Sequence, residues 1–567
     1  MRLRVAFGPK CGGSISTWEE RRHGDEHIRG YSSKSEATCR FDRAGGERQR
    51  EGKAAHTGGG RTQETSGERL SMLKRILTGA GALFALLAAI VAGRTLMVPA
   101  MELAQAGAAG SIDAEGAAQH LAEAVRFPTI SFQRGADEAD IARSAQAFED
   151  FRNWMDATYP AFRQATRREI IGGATLFYTW EGTDASLDPV LLMSHIDVVP
   201  IAPGTEEKWE QPPFGGTIAD GYVWGRGTID NKGSLVAMVE AAEMLAAEGF
   251  RPKRTILFAF GHDEEIGGGT GNKALSELLQ SRGVRLHWVK DEGGVVGEGL
   301  LPGVKAPVAM IGVAEKGSIS LDIVAYSKGG HSSMPSPAAQ TAIGRLARAL
   351  ERIGNTPFES KVDGATRGMI ENLAPAVPFL QRMVYANLWL FEPVVRGVME
   401  KSASSAAQLH TTIAPTIIGG GNKENVLPPE ARAVVNFRIH PRDTADGVIA
   451  HVREAIDDPE VTIEPLEGIR EASTVSNVEG DGYTLLTRVI GESFPGVISA
   501  PYLVVGGTDS RHYLPITDNV FRFIPIRMGP DDMARFHGTN ERVSVANMGE
   551  AVSFYVRLMK TMNEREE

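Results

Sequence analysis

Cysteine is almost absent from this sequence, and its placement excludes two kinds of site. The 567 residues include two cysteines, Cys11 and Cys39, and both lie near the N-terminus. The rest of the chain therefore has no disulfide and no thiolate ligand, whatever its compartment. A metal site there has to use nitrogen and oxygen ligands, which suit zinc and allow cobalt or manganese to substitute.

Positive charge is also in short supply. The net charge is −11, and residues 1–71 hold 14 Lys/Arg against 10 Asp/Glu, which leaves 46 against 61 in the remainder. An acidic body argues against nucleic acid as the main partner. The composition, 42% hydrophobic and 23% charged, is that of a globular protein. The length predicts two or more domains.

The N-terminal region has two parts. Residues 1–71 lack apolar periodicity and are predicted to be a disordered leader. Residues 72–99 contain basic residues followed by a long apolar run, as in a signal peptide or a membrane anchor. Because signal peptides begin at the N-terminus, we hypothesise that translation starts at Met72 and that the leader is not made. An uncleaved anchor is favoured, with the body outside the cytoplasm.

The segment 190–200, VLLMSHIDVVP, is the centre of the predicted fold. Its apolar first half is typical of a strand buried on both faces of a parallel sheet. His195 and Asp197 follow at a spacing of two, so their side chains project together from the strand's end. Strands and helices alternate around it, which predicts an α/β domain with a mostly parallel sheet and flanking helices. Ligands bind such sheets beyond the carboxyl ends of the strands.

A change of pattern near residue 315 predicts a second domain. Half-exposed strands and amphipathic helices mark residues 315–466 as an α+β lid or dimerisation domain, inserted between catalytic parts 112–314 and 467–567. Within the lid, residues 356–407 form an apolar insertion that is too apolar for a linker. It could hold an acyl chain, face a membrane or pack over the lid helices.

Five short motifs, most of them beside glycines, carry acidic or histidine ligands. Each alone is common at solvated turns, but five in one order indicate a site. They are His195-x-Asp197, Gly-Arg-Gly-x-x-Asp230-x-Lys-Gly, Asp263-Glu264-Glu265-x-Gly, Asp291-Glu292-Gly293-Gly294 and His537-Gly538-x-Asn540-Glu541.

In this order the motifs resemble the zinc-dependent aminoacylase/carboxypeptidase metallopeptidase family. That family includes aminoacylase-1, acetylornithine deacetylase and succinyl-diaminopimelate desuccinylase, and the resemblance runs from about Gly116 to the C-terminus. The anchor-like segment and the apolar insertion are most similar to carboxypeptidase S, and next to the N-fatty-acyl-amino-acid synthase/hydrolase. The resemblance implies a dinuclear-zinc exopeptidase-like catalytic domain with a lid.

The resemblance also implies roles for the motif residues. Asp230 would bridge two zinc ions, and its peptide bond to Asn231 would be cis. His195 and Asp291 would complete the protein ligands of one ion, and Glu265 and His537 those of the other. Glu264 would be the general base that moves the water's proton to the leaving nitrogen. Asp197 would orient His195.

Further matches concern the substrate. His331 resembles the lid histidine that stabilises the oxyanion, often from a dimer partner, although a helix-entry turn explains the same motif. Asn425 and Arg438 resemble lid residues that contact substrate, Arg being suited to a carboxylate. Thr508, Asp509 and Arg511 resemble a loop near the substrate carboxylate, although Arg511 could equally be an ion-pair partner of Asp509. A homodimer through the lid is implied.

The predicted function is a dinuclear zinc hydrolase that cleaves a peptide or N-acyl amide bond beside a free amino-acid carboxylate. An N-fatty-acyl-amino-acid hydrolase is the alternative, and amide synthesis would use the same site. A catalytically inactive binding protein on this fold is a remote alternative that predicts the loss of a ligand or of the base. The six residues named as metal ligands and base are all present.

Overall fold

The computed structural model describes residues 64–100, 112–133 and 135–563. The first 63 residues of the predicted leader therefore lie outside the described residues. Residues 64–71, which the sequence analysis assigned to the leader, are instead the first turns of a helix, Glu64–Leu96. Once an apolar helix exists, each added residue gains a hydrogen bond without a new nucleation cost, so the helix extends into polar sequence. Residues 1–78 and 79–567 form two units, and the description below concerns the second.

The described residues form helices and strands in an alternating order. The helices are α1 (Glu64–Leu96), α2 (Ala114–Val125), α3 (Glu138–Thr158), α4 (Pro160–Ala165), α5 (Lys232–Ala247), α6 (Asn272–Ser281), α7 (Ala342–Asn355), α8 (Gly364–Leu373), α9 (Phe379–Tyr385), α10 (Leu388–Met399), α11 (Ala403–Ala406), α12 (Ala445–Ile456), α13 (Asp481–Ser493) and α14 (Val545–Thr561). The strands are β1 (Arg167–Ile171), β2 (Thr175–Trp180), β3 (Val190–His195), β4 (Thr217–Ala219), β5 (Tyr222–Trp224), β6 (Ile256–Gly261), β7 (Val289–Asp291), β8 (Val296–Gly297), β9 (Val308–Glu315), β10 (Gly317–Tyr326), β11 (Gly330–His331), β12 (Thr412–Gly420), β13 (Val426–Leu427), β14 (Glu430–Ile439), β15 (Val461–Pro465), β16 (Ile498–Val504), β17 (Val520–Arg522), β18 (Arg527–Met528) and β19 (Arg542–Ser544).

A ten-stranded mixed sheet forms the centre of the catalytic part, with β3 between β6 and β7 and parallel to both. Every residue of β3 is buried. Val190 and Leu192 pack in one core, whereas Leu191 and Met193 pack in another, because successive side chains point to opposite faces. The unbroken apolar run thus reflects helices on both sides of the sheet. The predicted α/β fold class is confirmed.

The lid is an antiparallel sheet in the order β12-β14-β10-β15. Its buried side chains form a separate core with those of α7 and α12. The chain enters the lid through Lys316, the single residue between β9 and β10. It returns along a segment in which the Arg470 N–H donates to the Ser318 carbonyl (2.9 Å) and the Ser318 N–H to the Arg470 carbonyl (2.7 Å). The two crossings between the lid and the catalytic part therefore lie side by side.

The apolar insertion contains α8 to α11, and it packs against the catalytic part. Met369 and Leu373 of α8 share a core with Val308 of β9 and Ile498 of β16. Ile370, on the adjacent side of α8, belongs to a second small core with Leu388 and Val395 of α10. Packing over the lid helices was one of the alternatives left open by the sequence. The structure instead uses the insertion to cover one side of the large sheet.

Candidate metal centre

Three neighbouring parallel strands end at the same edge of the sheet, and each delivers an acidic or imidazole side chain there. His195 is the last residue of β3, Glu264 and Glu265 follow β6, and Glu292 follows β7. This edge is where an α/β sheet places a ligand. The fourth contribution comes from Asp230, two residues before α5.

Asp230 lies between the two histidines. Its Oδ1 is 2.8 Å from His195 Nε2, and its Oδ2 is 2.8 Å from His537 Nε2. The carboxylate is nearly buried. The Asp230–Asn231 peptide bond is cis, as the resemblance predicts. One carboxylate thus faces two imidazoles, which is the arrangement that a bridging ligand requires.

Further carboxylates surround this pair. Glu265 Oε2 is 3.2 Å from His537 Nε2, and Glu292 Oε2 is 3.4 Å from His195 Nε2. Two sets of ligand atoms converge within 4.8 Å: His195 with Asp230 and Glu265, and His195 with Glu264 and Glu292. Glu265 Oε1 is buried without a hydrogen-bond partner. A buried carboxylate oxygen without a partner, in a cluster with excess negative charge, fits a site for divalent cations.

Asp291 and Glu292, at the end of β7, make different contacts. Glu292, not Asp291, approaches His195, and it also accepts a hydrogen bond from Asn231 Nδ2 (2.9 Å). Asp291 Oδ2 accepts the backbone N–H of Ser510 (2.8 Å). In this structure the Glu292 carboxylate is therefore the one that lies beside His195.

The Asp197 carboxylate mainly accepts hydrogen bonds from backbone N–H groups. Its carboxylate accepts the N–H groups of Glu264 (3.2 Å) and Glu265 (3.1 Å) and the Ser131 hydroxyl (2.7 Å). The shortest contact of His195 Nδ1 is to the Asp197 backbone carbonyl (2.9 Å), whereas the carboxylate Oδ1 lies at 3.3 Å. The imidazole is thus oriented chiefly by a carbonyl. The Asp197 side chain fixes the turn that carries the two glutamates.

Burial changes the acidity of the site when no metal is bound. Burial, followed by the charges of Glu292 and Asp509, raises the pKa of Glu264 well above its ordinary value. Burial and the charge of Asp230 raise the pKa of Glu292 to about 8. Hydrogen bonds to Asp230 and Glu265 raise the pKa of His537 to about 10. The cluster therefore holds protons that divalent cations would displace.

Glu541 has a role that its motif did not reveal. Its Oε1 accepts the backbone N–H groups of Gly227 (2.9 Å), Ile229 (2.8 Å) and Asp230 (3.2 Å). Its Oε2 accepts from Arg226 Nη1 (2.7 Å), and both side chains are buried. This one carboxylate shapes the loop that presents Asp230. The contacts join residues more than 300 positions apart, so no local pattern could predict them.

The lid residues lie on the segments expected. His331 is exposed on β11, and its Nδ1 accepts the N–H of Ser333 (3.1 Å). Because Nδ1 accepts, Nε2 carries the proton in the neutral ring. Asn425 Oδ1 is buried without a partner, and Arg438 lies on β14 opposite Ser318. Neither His331 nor Asn425 belongs to the two convergent ligand sets described above.

Residues 508–511 make hydrogen bonds to other segments of the catalytic part. Thr508 is buried, and both its N–H and its hydroxyl donate to Glu315 Oε2. Asp509 Oδ2 accepts from Asn272 Nδ2 (2.7 Å), and burial raises the pKa of Asp509 to about 7. Arg511 Nη2 donates to the Gly267 carbonyl (2.8 Å) and is 3.9 Å from Asp509 Oδ1. Arg511 thus has structural partners, as the alternative interpretation expected.

Arg470 was missed by the sequence analysis. It lies at the return crossing from the lid, and its Nε donates to Ser318 Oγ (3.2 Å). A methyl group at Gly507 would lie 3.7 Å from Arg511 Nη1 and 3.9 Å from Arg470 Nη1. Burial, followed by Arg511 and Arg438, lowers the pKa of Arg470, whereas Glu264 opposes that shift. Three guanidinium groups therefore share one region beside the catalytic edge.

A comparison with known proteins identifies this arrangement. The profile of Peptidase family M20/M25/M40 matches residues 191–561, a range that holds every ligand atom described above. The chain belongs to peptidase family M20/M25/M40. Members of the M20 group are metal-dependent peptidases, and the chain is accordingly a hydrolytic enzyme.

Several M20-family relatives cover most of this chain. It is 39% identical over 445 residues to the probable carboxypeptidase S-like 2 of Dictyostelium discoideum, covering 78% of this chain and 84% of the relative. It is 38% identical over 443 residues to the N-fatty-acyl-amino acid synthase/hydrolase PM20D1 of Xenopus tropicalis, with the same coverages. Carboxypeptidase S of Saccharomyces cerevisiae is 29% identical, covering 79% of this chain and 84% of the relative.

Solved structures of the M20 family share the fold. An M20 family metallo-carboxypeptidase from Sulfolobus solfataricus superposes with a TM-score of 0.56 at 16% identity, covering 79% of this chain and 99% of the other. Human carnosine dipeptidase 1 gives a TM-score of 0.53 at 17% identity, covering 79% and 96%. At these identities the likeness concerns the fold alone.

Proposed function

We propose that this enzyme is a dinuclear metallohydrolase that cleaves a peptide or N-acyl amide bond next to a free amino-acid carboxylate. The observation that carries the proposal is the Asp230 carboxylate, whose two oxygens face two different imidazoles. Glu265 and Glu292 stand beside those imidazoles. A pair of divalent cations sharing Asp230 would satisfy all five side chains.

The ligand chemistry favours zinc, with cobalt or manganese as substitutes, because the donors are imidazole nitrogens and carboxylate oxygens. We assign His195, Asp230 and Glu292 to one ion, and Asp230, Glu265 and His537 to the other. Two bound cations would polarise the scissile carbonyl and lower the pKa of water between them. Glu541 and Asp197 hold the loops that bear these ligands, so they set the spacing of the site.

Glu264 is proposed as the general base. It lies in the turn after β6 and belongs to the same converging group as His195 and Glu292, and its backbone N–H donates to the Asp197 carboxylate. Its burial raises its pKa in the metal-free site. Nearby cations would bring that pKa down again, so that the carboxylate takes a proton from the attacking water and gives it to the leaving nitrogen.

The substrate's free carboxylate is proposed to bind between guanidinium groups. Arg438 comes from the lid, Arg470 from the crossing, and Arg511 from the loop after Gly507, where a methyl group would contact both Arg470 and Arg511. Guanidinium groups bind carboxylates through paired hydrogen bonds. Thr508 and Asp509 are proposed to support this site, since Thr508 donates to Glu315 and Asp509 Oδ2 accepts from Asn272.

The lid is proposed to complete the oxyanion site. Because His331 Nδ1 accepts the Ser333 N–H, the Nε2–H of His331 is available as a donor to a developing oxyanion. Asn425 has a buried carbonyl oxygen without a partner.

The edge strand β12 exposes Ile417 and Ile418, which supports a homodimer formed through the lid.

The helix α1 is proposed as a membrane anchor. Residues Leu70–Leu96 have a mean hydropathy of 2.2 over their most apolar window, and 6% of that window is buried. The length and composition suffice to cross a bilayer. With Lys74 and Arg75 on the cytoplasmic side, the catalytic part would lie outside the cytoplasm.

The substrate class is tested with two panels on the full chain: dipeptides, and short- and long-chain N-acyl amino acids. Each compound is paired with its C-terminal α-amide. We expect chelator-sensitive release of a free amino acid from the acids and little from the amides. The better panel distinguishes a carboxypeptidase from an N-fatty-acyl-amino-acid hydrolase, and incubation of a fatty acid with an amino acid tests synthesis. A folded protein with two metals and no turnover would indicate a binding protein instead.

A further inference from the structure

The apolar insertion presents an uncharged hydrophobic surface. In α10, six positions are exposed, and they hold Trp389, Leu390, Pro393, Val394, Gly397 and Val398. Leu390, Val394 and Val398 recur every four residues and so share one side of the helix. Phe379 and Leu380, at the start of α9, are 56% and 72% exposed. Clustered apolar side chains of this size mark an interaction surface.

The charged side chains of α9 and α10 are directed to protein partners. Glu392 and Arg396 lie 3.6 Å apart, and Arg396 also reaches the Ser360 carbonyl (3.3 Å). Arg382 donates to the Pro375 carbonyl (2.9 Å). The six exposed positions of α10 therefore carry no charged residue, while the other side supplies Leu388 and Val395 to a core.

The link between α9 and α10 is fastened to the last turns of α1. Asn387, which is fully buried, donates from Nδ2 to the Val91 carbonyl (3.3 Å) and to Thr95 Oγ1 (3.2 Å). Arg94 Nε donates to the Ala386 carbonyl (3.2 Å). These bonds fix the exposed side chains of the insertion beside the end of the helix that we propose as the anchor.

We propose that α9, α10 and the end of α1 form one membrane-embedded surface, and that its occupant is the bilayer that α1 enters. The surface would lie at the boundary between headgroups and acyl chains, as amphipathic helices do. The proposal depends on the anchor and is independent of the proposed reaction.

Three observations favour a bilayer over a second copy of the chain. The surface is continuous with a helix apolar enough to span a membrane, and Leu96 and Met97 at the junction are 76% and 82% exposed. A cavity of about 500 Å³ at this junction is lined by Arg94 and Trp389 together with the Arg367–Glu371 ion pair. Basic and indole side chains are enriched where membranes meet water.

The test uses single-cysteine variants of the full chain. Replacing Cys11 and Cys39 with serine removes all cysteine, since the sequence has only these two. Leu380→Cys and, independently, Val398→Cys are labelled with an environment-sensitive fluorophore and reconstituted in phosphatidylcholine vesicles that carry a lipid-borne quencher. Phe84, on α1, is 72% exposed, and a label at Phe84→Cys is the control for a position inside the bilayer. Ile170, on β1, is 43% exposed, and a label at Ile170→Cys is the control for a position in water.

We expect the labels at positions 380 and 398 to be quenched at least about twice as strongly as the label at 170, and comparably to the label at 84. Quenching at position 84 alone would overturn the proposal, since α1 would then enter the bilayer while α9 and α10 stay outside it. Absence of quenching at 84 would overturn it by removing the anchor. Cross-linking of Leu380→Cys between two copies, without lipid quenching, would assign the surface to a dimer.

Discussion

Each carboxylate oxygen of Asp230 faces a different imidazole, and both distances are 2.8 Å. In the metal-free protein these contacts are held by protons, as the raised pKa of His537 indicates. Metal binding at this cluster would exchange those protons for cations. The identity of the remaining ligands then decides how tightly each ion is held.

Glu292→Gln and Asp291→Asn separate the two candidates for the ligand after β7. We expect Asp291→Asn, which alters a contact to the Ser510 backbone, to weaken metal binding by about 10- to 100-fold, the range for outer contacts. Glu292→Gln removes the proposed ligand and should weaken metal binding further. Metal content after dialysis against a graded chelator measures both variants. A larger loss in Asp291→Asn would return the ligand role to Asp291.

Arg470→Met tests the carboxylate site. A hydrogen bond to a charged group contributes about 1.5–3 kcal/mol, so we expect KM for acid substrates to rise about 10- to 100-fold. The α-amide substrates should change little, because they lack the charge. Arg367→Met, at a partly exposed position of α8, is the matched control and should leave KM unaltered. An equal effect of Arg470→Met on acids and amides would point to a structural role at the lid crossing.

At the scale of elements, the loop 225–231 depends on a residue from the distant C-terminal segment. Glu541 joins three backbone N–H groups of this loop to the buried guanidinium of Arg226. Lys232, the first residue of α5, follows this loop, and its buried ammonium donates to the Ala124 and Phe127 carbonyls. Arg226 and Lys232 thus make structural contacts, whereas Asp230 faces His195 and His537.

Glu541→Gln should lower the free energy of unfolding by about 3–5 kcal/mol, because it leaves the Arg226 charge buried without a counter-charge. Glu371→Gln breaks an exposed pair with Arg367 and should change that free energy by less than about 1 kcal/mol. Denaturant unfolding of the metal-free proteins compares the two. Similar stabilities would show that the Glu541 contacts contribute little.

Two leucines of the insertion differ in burial and make a second matched pair. Leu373 of α8 is 3% exposed in the core with β16, whereas Leu380 of α9 is 72% exposed. We expect Leu373→Ala to cost about 2–5 kcal/mol of stability through the cavity it leaves. Leu380→Ala should cost almost nothing in detergent. Equal losses in the two variants would contradict the packing of α8 on the sheet.

The sequence predicts those parts of the site that lie next to strands. β3 could be placed from its apolar run, and His195, Glu264 and Glu265 followed from their positions at strand ends. The choice between Asp291 and Glu292 depends on which way a side chain points at the last residue of β7, and spacing does not determine that. Arg470 and Glu541 act across long sequence separations, so their roles appear only when the chain is folded.

At the scale of the whole molecule, the lid and the catalytic part meet at two adjacent crossings. Lys316 forms one, and the paired Ser318 and Arg470 form the other. Arg470 therefore links the position of the lid, which carries His331 and Arg438, to the edge that carries the ligands. A substrate carboxylate bound there would contact both parts at once.

The most direct test of a two-metal site with Glu264 as base is one experiment on two proteins. Metal content and amide hydrolysis are measured for the wild type and for Glu264→Gln. We predict two metal equivalents in both proteins, and a turnover lower by about 100- to 10,000-fold in the variant, the range for loss of a general base. Turnover within tenfold of the wild type, with both metals present, would contradict the account.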